Sequence, residues 1–504
     1  MRETERKYEA THAVKLPDPA GWLKLDTGSG AQRQELTAVY FDTSDLRLMR
    51  AGITLRHRAG GTDPGWHLKL PAGGESRDEL RMPLGHSRLE PPAELIGLTR
   101  VHTRGAALAP VAELTTRRRR WILADSEGHA LVELVDDRVK AHTMGKQTRA
   151  VSWRELEVEL AEHGQVKLLD RIERKLLKRG ARRSRAGSKL GRLLAKELPA
   201  RRDPPEPGAG SSAGDVVLAY LRIQADQLRK HDPMIRRDLP DAVHQMRVAA
   251  RRMRSALQAF GRIIDRDRTR GITDELKWLA GELGAARDTE VMAQRCGDIL
   301  TTLPDDLVLG PVAASMTRTF ERRQRDARLV ALAALDSDRY LALHNAIDAL
   351  LIDPPLTRAA SRPGRRELPI SVARAYRRVK SHMREAAAQP AGMQRDLALH
   401  ETRKTAKRLR YATEAVIPTV GTPAQRLRRR LKKVQKLLGE HQDAVVARPV
   451  LRELAVQAHL EGGNGFTYGL MHAAEATRAA RAEQGLPAAW RRMRKPKNTT
   501  WLHH

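Results

Sequence analysis

The chain is poor in the groups that build several familiar kinds of protein. Its 504 residues hold one cysteine, Cys296, which excludes an intrachain disulfide and any metal site made of several thiolates. Aromatic residues make up 4%, too few for the stacking platforms on which single-stranded nucleic acids are usually held. No uninterrupted apolar run reaches membrane-spanning length, and the N-terminus is charged from Arg2 with no apolar segment behind it. The expected location is therefore the cytoplasm, with no membrane partner. Acid is scarce too: 61 Asp and Glu face 92 Lys and Arg, a formal charge of +31. Such a field draws polyanions, whether nucleic acid, acidic membrane or condensed phosphate.

What is present changes character along the chain. Up to about residue 160, short alternating segments recur at Glu35–Phe41, Ile53–Arg58, Trp66–Leu70, Asp78–Met82, Arg117–Leu123, Ala130–Asp136 and Trp153–Leu160. Gly, Pro, Asp and Ser clusters separate them, and the pattern predicts an antiparallel barrel or sandwich. A helix is predicted over Val166–Arg179, stopped by Gly180. Residues 201–214 have linker composition, which places a first domain at 1–200. A helical domain is expected over 215–490, with a basic tail at 491–504. From residue 215 onward, 53 Lys and Arg oppose 32 Asp and Glu, so this part carries +21 of the +31.

The helical part is duplicated. The run Val243-His-Gln-Met-Arg-Val-Ala-Ala-Arg-Arg-Met-Arg aligns with Leu399-His-Glu-Thr-Arg-Lys-Thr-Ala-Lys-Arg-Leu-Arg. Leu276-Lys-Trp-Leu-Ala-Gly-Glu-Leu-Gly-Ala-Ala-Arg-Asp aligns with Leu431-Lys-Lys-Val-Gln-Lys-Leu-Leu-Gly-Glu-His-Gln-Asp. His244, Arg247, Arg251 and Arg254 fall on one helical face, and His400, Arg403, Lys407 and Arg410 repeat their spacing. Met246, Met253, Leu257 and Phe260 form the adjacent apolar face. On the partner helices, Lys277 and Lys432, with Lys436, extend the basic surface. Asp288 and Asp443 read as residues that orient a neighbouring base or cap a helix terminus, and His441 as exposed.

In the first domain, charge recurs at alternate positions. Glu3, Glu5 and Lys7 share one face of a strand, as do Arg56 and Arg58, His67 and Lys69, then Arg77, Glu79 and Arg81. Arg117 and Arg119 form another set, and Glu155, Glu157 and Glu159 the last. One such strand would be a solvated outer face. Repeated around a barrel, acids at both ends of the domain and bases between them line a lumen. Paired guanidinium donors suit phosphate oxygens, and clustered carboxylates suit a hard divalent cation.

These motifs resemble the CYTH family, the triphosphate tunnel metalloenzymes. The resemblance rests on Glu3-x-Glu5-x-Lys7, the run from Tyr40 to Arg58, Leu68-Lys69-Leu70 and Glu155-Leu-Glu-Val-Glu, and covers about residues 1–200. It implies an eight-stranded antiparallel tunnel and Mg²⁺- or Mn²⁺-dependent chemistry on triphosphates. By position it assigns metal and catalysis to Glu3, Glu5, Glu157 and Glu159, with Glu155 a third late acid and Glu133 and Asp137 before them. It assigns phosphate binding to Lys7, Arg56, Arg58, Lys69, Arg117, Arg119 and Lys189, the last in a closing Ser188-Lys189 segment.

The His-x-x-Arg helices, Lys407-Arg-Leu-Arg-Tyr411 and the paired Leu-Gly-x-x-x-Asp segments resemble the CHAD domain over about 215–490. That resemblance implies two pseudo-symmetric four-helix bundles with a basic face or pore for inorganic polyphosphate. Its contacts would be His244, Arg247, Arg251, Arg254 and Lys277 in one repeat, and His400, Arg403, Lys407, Arg410, Lys432 and Lys436 in the other. The fold expected is thus α+β, a β-tunnel followed by an all-α unit. The activity expected is metal-dependent hydrolysis of inorganic triphosphate, in the cytoplasm or at polyphosphate granules. A noncatalytic polyphosphate scaffold, a nucleoside or thiamine triphosphatase, ATP cyclisation and nucleic-acid association stand as alternatives.

Overall fold

The computed structural model describes residues 2–16, 19–23, 25, 30–85, 89–145, 148–197 and 205–502. Residues 201–204 of the expected linker and the last two of the expected tail lie outside the described residues. The chain divides into two compact units, residues 1–203 and 204–504.

The first unit is a closed barrel of eight antiparallel strands: β1 (Arg2–Glu9), β2 (Gln32–Asp42), β3 (Thr54–Ala59), β4 (Gly65–Gly73), β5 (Ser76–Met82), β6 (Ala109–Ala124), β7 (Ala130–Thr143) and β8 (Ala150–Leu160). Their order is β5-β4-β3-β2-β6-β7-β8-β1. Strand β1 closes the ring, because residues 2–4 pair with β5 while residues 5–9 pair with β8. A two-residue strand, β9 (Arg182–Arg183), adds to the end of β1. Among the described residues, five helices decorate the sheet: α1 (Pro19–Leu23), α2 (Arg47–Arg50), α3 (Ala93–Thr103), α4 (Val166–Lys178) and α5 (Lys189–Leu193).

Strand alternation divides the side chains between two faces. Outward residues are apolar where a helix covers them: Tyr8, Trp121, Leu123, Leu156 and Val158 pack with Leu169, Ile172 and Leu176 of α4. Phe41, Leu55, Trp66 and Leu68 pack with Leu95 and Leu98 of α3. Each such side chain contributes roughly 1.5–3 kcal/mol by leaving water, so a register slip by one residue is strongly disfavoured. At one end the inward set is apolar as well, with Tyr40, Ala112, Leu114 and Val139 packed on Leu190 and Leu193 of α5.

The second unit holds two four-helix bundles. The first comprises α6 (Ala213–Arg236), α7 (Ala242–Ala259), a broken third helix α8 (Arg270–Glu282) and α9 (Gly284–Leu300), and a broken fourth, α10 (Val312–Asp336) and α11 (Asp338–Ile352). The second comprises α12 (Gly364–Ala388), α13 (Met393–Ala415), the short α14 (Ile417–Val420), α15 (Thr422–Leu460) and α16 (Phe466–Met493). Equivalent helices meet across the pseudo-dyad, α7 on α13 and α6 on α12, and Ser212 bridges Pro363 where α6 and α12 begin. Met246, Met253, Leu257 and Phe260 are buried, as the apolar stripe of α7 requires. The chain beyond α16 folds back as α17 (Pro496–Thr499), burying Asn498, Thr499 and Leu502.

Candidate functional site

The barrel lumen is built from alternate residues of all eight strands. Tyr8 and Val158 point outward beneath α4, so Glu3, Glu5 and Lys7 on β1 and Glu155, Glu157 and Glu159 on β8 point inward. Cross-strand register sets Glu5 beside Glu159 and Glu159 beside Glu133, three carboxylates abreast on β1, β8 and β7. Directly opposed like charges destabilise a sheet unless something compensates them. Here two members are compensated: Glu5 by Lys7 at 3.2 Å and Glu133 by Arg120 at 2.7 Å. Glu159 makes no ion pair among the described residues. Burial, with Glu3, Glu5 and Glu133 nearby, pushes its carboxyl up to about 8 despite Lys69. A small hard cation would compensate this row.

The opposite wall supplies bases. Lys69 pairs with Glu3 and lies 3.7 Å from Glu79, which also accepts from His67 Nδ1 at 2.9 Å. Arg56 reaches Tyr40 at 3.4 Å and Glu79 only at 3.9 Å. Arg58 is buried, pairs with Asp63, and is held down to about 9 by burial and by Arg56 and Arg118. The Nε atoms of both Arg56 and Arg58 are buried without a partner among the described residues, donors for which an anion would be the natural acceptor. The long motif from Tyr40 to Arg58 explains their aim. Buried Asp42 accepts from the backbone N–H groups of Thr43, Leu48 and Met49. That fixes α2 and the turn at Gly52 (φ 73°) that launches β3.

Two assigned arginines do not enter the lumen. Arg117 is exposed and pairs with equally exposed Glu35, and Arg119 lies over the ring of Trp121. Within the arginine run, the inward residues of β6 are Arg118 and Arg120. Arg118 grips Asp137 through two nitrogens at 2.9 and 2.7 Å and reaches Glu157 at 3.3 Å. The cause is the parity of β6: Trp121 and Leu123 belong to the outer core under α4, and Arg117 and Arg119 share their side of the strand. A signal was present in the sequence, since a Trp-x-Leu pair marks the helix-covered face.

Lys189 opens α5, whose N-cap Ser188 accepts from Gly191 N at 2.9 Å. Its ammonium lies 3.0, 2.8 and 2.9 Å from Asp137, Glu155 and Glu157. These three carboxylates form a compact buried group that could hold a metal ion, yet Lys189 already stands among them and is held well above its usual value by them against burial. Glu157 also pairs with Lys7; burial works against its charge, but Lys189, Lys7 and Arg118 hold it well below the usual carboxylate range. Of the acids at the other end of the lumen, Glu3 pairs with Lys69 and Arg81 and Glu5 with Lys7, while Glu159 makes no ion pair among the described residues.

In the helical unit, the stripes of α7 and α13 converge across the pseudo-dyad. Arg247 reaches Asp288 at 3.0 Å, and Arg403 repeats the contact to Asp443 at 3.1 Å, so each aspartate does orient a base. His400 Nδ1 is 2.8 Å from Gln442, while His244 is half-buried and held below its usual value by burial and Arg287. Lys407 is held down to about 7 by burial and by Arg403 and Arg251, and Arg251 in turn is lowered by burial and by Arg247, Arg403 and Arg410. Nε of Arg247, Arg251, Arg403 and Arg410 is buried without a partner among the described residues. Arg254 lies at the end of its stripe, lowered by burial. Lys277, Lys432 and Lys436 are exposed on α8 and α15 and make no ion pair among the described residues. His441 is not exposed: it is buried, with Nε2 3.2 Å from Asp396, because it faces α13 from within the bundle.

Fold and site define a class: a closed β-barrel with an ionic lumen, followed by a duplicated helical unit with a basic seam. Residues 1–192 match the CYTH domain and residues 219–452 the CHAD domain. The chain belongs to the family of proteins in which a CYTH domain is followed by a CHAD domain. It is 38% identical to two proteins of Mycobacterium tuberculosis, Uncharacterized protein MT2285 (strain CDC 1551 / Oshkosh) and Uncharacterized protein Rv2226 (strain ATCC 25618 / H37Rv), over 98% of this chain and 96% of each relative. Among solved structures, PptA from Streptomyces chartreusis is 25% identical with a TM-score of 0.48, covering 56% of this chain and 100% of its own. The CHAD domain from the plant Ricinus communis is 26% identical with a TM-score of 0.45, covering 58% of this chain and 96% of its own. No helix among the described residues is long and apolar enough to cross a membrane.

Proposed function

We propose that the barrel hydrolyses inorganic triphosphate with a divalent metal ion, and that the helical unit binds inorganic polyphosphate. CYTH family members act as triphosphatases or cyclases. The observation that carries the reading is the row Glu5–Glu159–Glu133, short of one positive charge, facing Arg56, Arg58 and Lys69 across the same lumen. A triphosphate with its metal ion fills both deficits together.

Arg56, Arg58, Lys69 and Arg118 bind phosphoryl oxygens, the guanidiniums through paired donors. Lys7 and Lys189 complete the cationic wall at the end closed by α5. Glu3, Glu5 and Glu159 hold Mg²⁺ or Mn²⁺, which when bound supplies Lewis-acid polarisation and a more acidic water. The same carboxylates accept the proton of the attacking water. Glu157 positions Lys7, Arg118 and Lys189. In the helical unit, partnerless Nε donors on α7 and α13 meet a flexible, uniformly charged chain without reading bases. Tethering then raises the local concentration of phosphate-chain ends near the barrel.

Phosphate release from tripolyphosphate, nucleoside triphosphates and thiamine triphosphate, each with Mg²⁺ and Mn²⁺, tests the proposal. Tripolyphosphate is expected to be the best substrate. Tight polyphosphate binding without turnover of any triphosphate would replace the enzyme by a scaffold. DNA or RNA outcompeting polyphosphate at matched salt would replace the ligand.

A further inference from the structure

The two halves of the helical unit are not equivalent where α7, α12 and α13 meet. In one half, Tyr220 donates to Glu414 at 3.3 Å, Arg252 pairs with Glu414 at 3.1 Å, and Arg252 and Arg410 lie over the ring of Tyr411. The offset that aligns α7 with α13 carries Tyr411, Glu414 and Arg252 onto Ser255, Gln258 and Arg408. Counting eight residues from the paired caps Ser212 and Pro363 carries Tyr220 onto Ser371. Two phenols and a carboxylate are thus replaced by two serines and an amide. The space they vacate is a cavity of about 340 Å³ lined by Ser255, Gln258, Ser371, Thr405 and five arginines: Arg262, Arg266, Arg374, Arg378 and Arg408.

The lining points to an anion. Arg262 is held by Glu367 at 3.0 Å, but among the described residues none of the other four makes an ion pair. Arg374 and Arg378 stand where α6 has Ile223 and Gln227, so the excess of charge belongs to this half alone. Ser371 is 2% exposed and its Oγ has no hydrogen-bond partner among the described residues, a buried hydroxyl left unsatisfied beside a cationic cavity. Arg408 is lowered by burial and then by Arg254, Arg378 and Arg266, which sets the cavity against the end of the α7 stripe. The lining contains no aromatic ring on which a base could stack.

We propose that this cavity is a second, asymmetric phosphate site, which takes a compact inorganic phosphate anion of the size of pyrophosphate or triphosphate. The anion is either a free molecule or the terminal segment of a polyphosphate chain lying on the α7–α13 seam. The proposal rests on reading the helical unit as a phosphate-chain binder, and the site is separate from the paired stripes.

The test uses the full chain with the barrel silenced by Arg56→Ala and Lys69→Ala, titrated calorimetrically with pyrophosphate and with long polyphosphate. In that background, pyrophosphate is expected to bind one site, and Arg378→Ala or Arg408→Ala to weaken it at least ~tenfold. Ser255→Tyr with Gln258→Glu and Ser371→Tyr, which copies the filled half, is expected to abolish it while long chains still bind through the seam. A drop in long-chain affinity of ~threefold or more in the filled variant, scaling with the number of chain ends, identifies the chain terminus as the occupant. Should the filled variant fail to fold, the single arginine variants decide. Pyrophosphate binding that is absent in the background protein, or undiminished in Arg378→Ala and Arg408→Ala, overturns the site. Failure of long chains to bind at all rejects instead the reading of the helical unit.

Discussion

The barrel lumen and the helical seam are both rich in arginine and lysine, yet they handle charge in opposite ways. In the lumen nearly every cation has a carboxylate: Lys7 has Glu5 and Glu157, Lys69 has Glu3, Arg118 has Asp137 and Lys189 has three acids. On the seam the cations face one another, and Lys407 sits at about 7 because burial and Arg403 and Arg251 oppose its charge. A balanced lumen can fix a short anion and its metal in one geometry. An unbalanced seam is instead an open demand for negative charge, indifferent to its detailed placement. The difference separates positioning for chemistry from retention of a polymer.

The largest expected effect breaks the lumen and spares the seam. Glu159→Gln removes the carboxylate without a cationic partner, and triphosphate turnover should fall about 10³-fold while polyphosphate binding, followed by fluorescence anisotropy, stays unchanged. The next sharpens the register of β6. Arg118→Ala should lower kcat/KM about 10²-fold by removing a charge-assisted contact worth roughly 1.5–3 kcal/mol, whereas Arg117→Ala should change it less than about twofold.

Polyphosphate affinity should also depend on pH through Lys407. The free protein holds this amine at about 7, and a bound polyanion raises that value, so binding takes up a proton above neutrality. Affinity should therefore fall as pH rises from 7 to 9, by up to about tenfold per unit, and Lys407→Arg should flatten the slope in a titration series. The smallest effect concerns the orienting aspartates. Asp443→Asn frees Arg403 from a half-buried pair and should alter polyphosphate affinity by no more than about threefold.

Much of the lumen was legible because period-two charge survives in the sequence: Glu3, Glu5, Lys7, Arg56, Arg58, Lys69 and the β8 glutamates all lie where alternation put them. The arginine run was not. Four identical side chains carry no phase, and phase came only from Trp121 and Leu123 packing under α4. Lys189 was placed by resemblance, since nothing in a five-residue helix reveals that it enters a barrel end. The seam was legible because duplication fixed its face twice. His441 was misread because the helical pattern does not show that α13 supplies Asp396 opposite it. The arginine cavity escaped notice because it arises from a failure of the repeat, where Ser255 and Gln258 replace Tyr411 and Glu414.

The most direct measurement is Mg²⁺- and Mn²⁺-dependent phosphate release from tripolyphosphate by the full chain, alongside Glu159→Gln. The account predicts turnover that requires the ion, collapses in the variant, and leaves polyphosphate binding intact. Ion-independent turnover, or equal rates in wild type and Glu159→Gln, would contradict it.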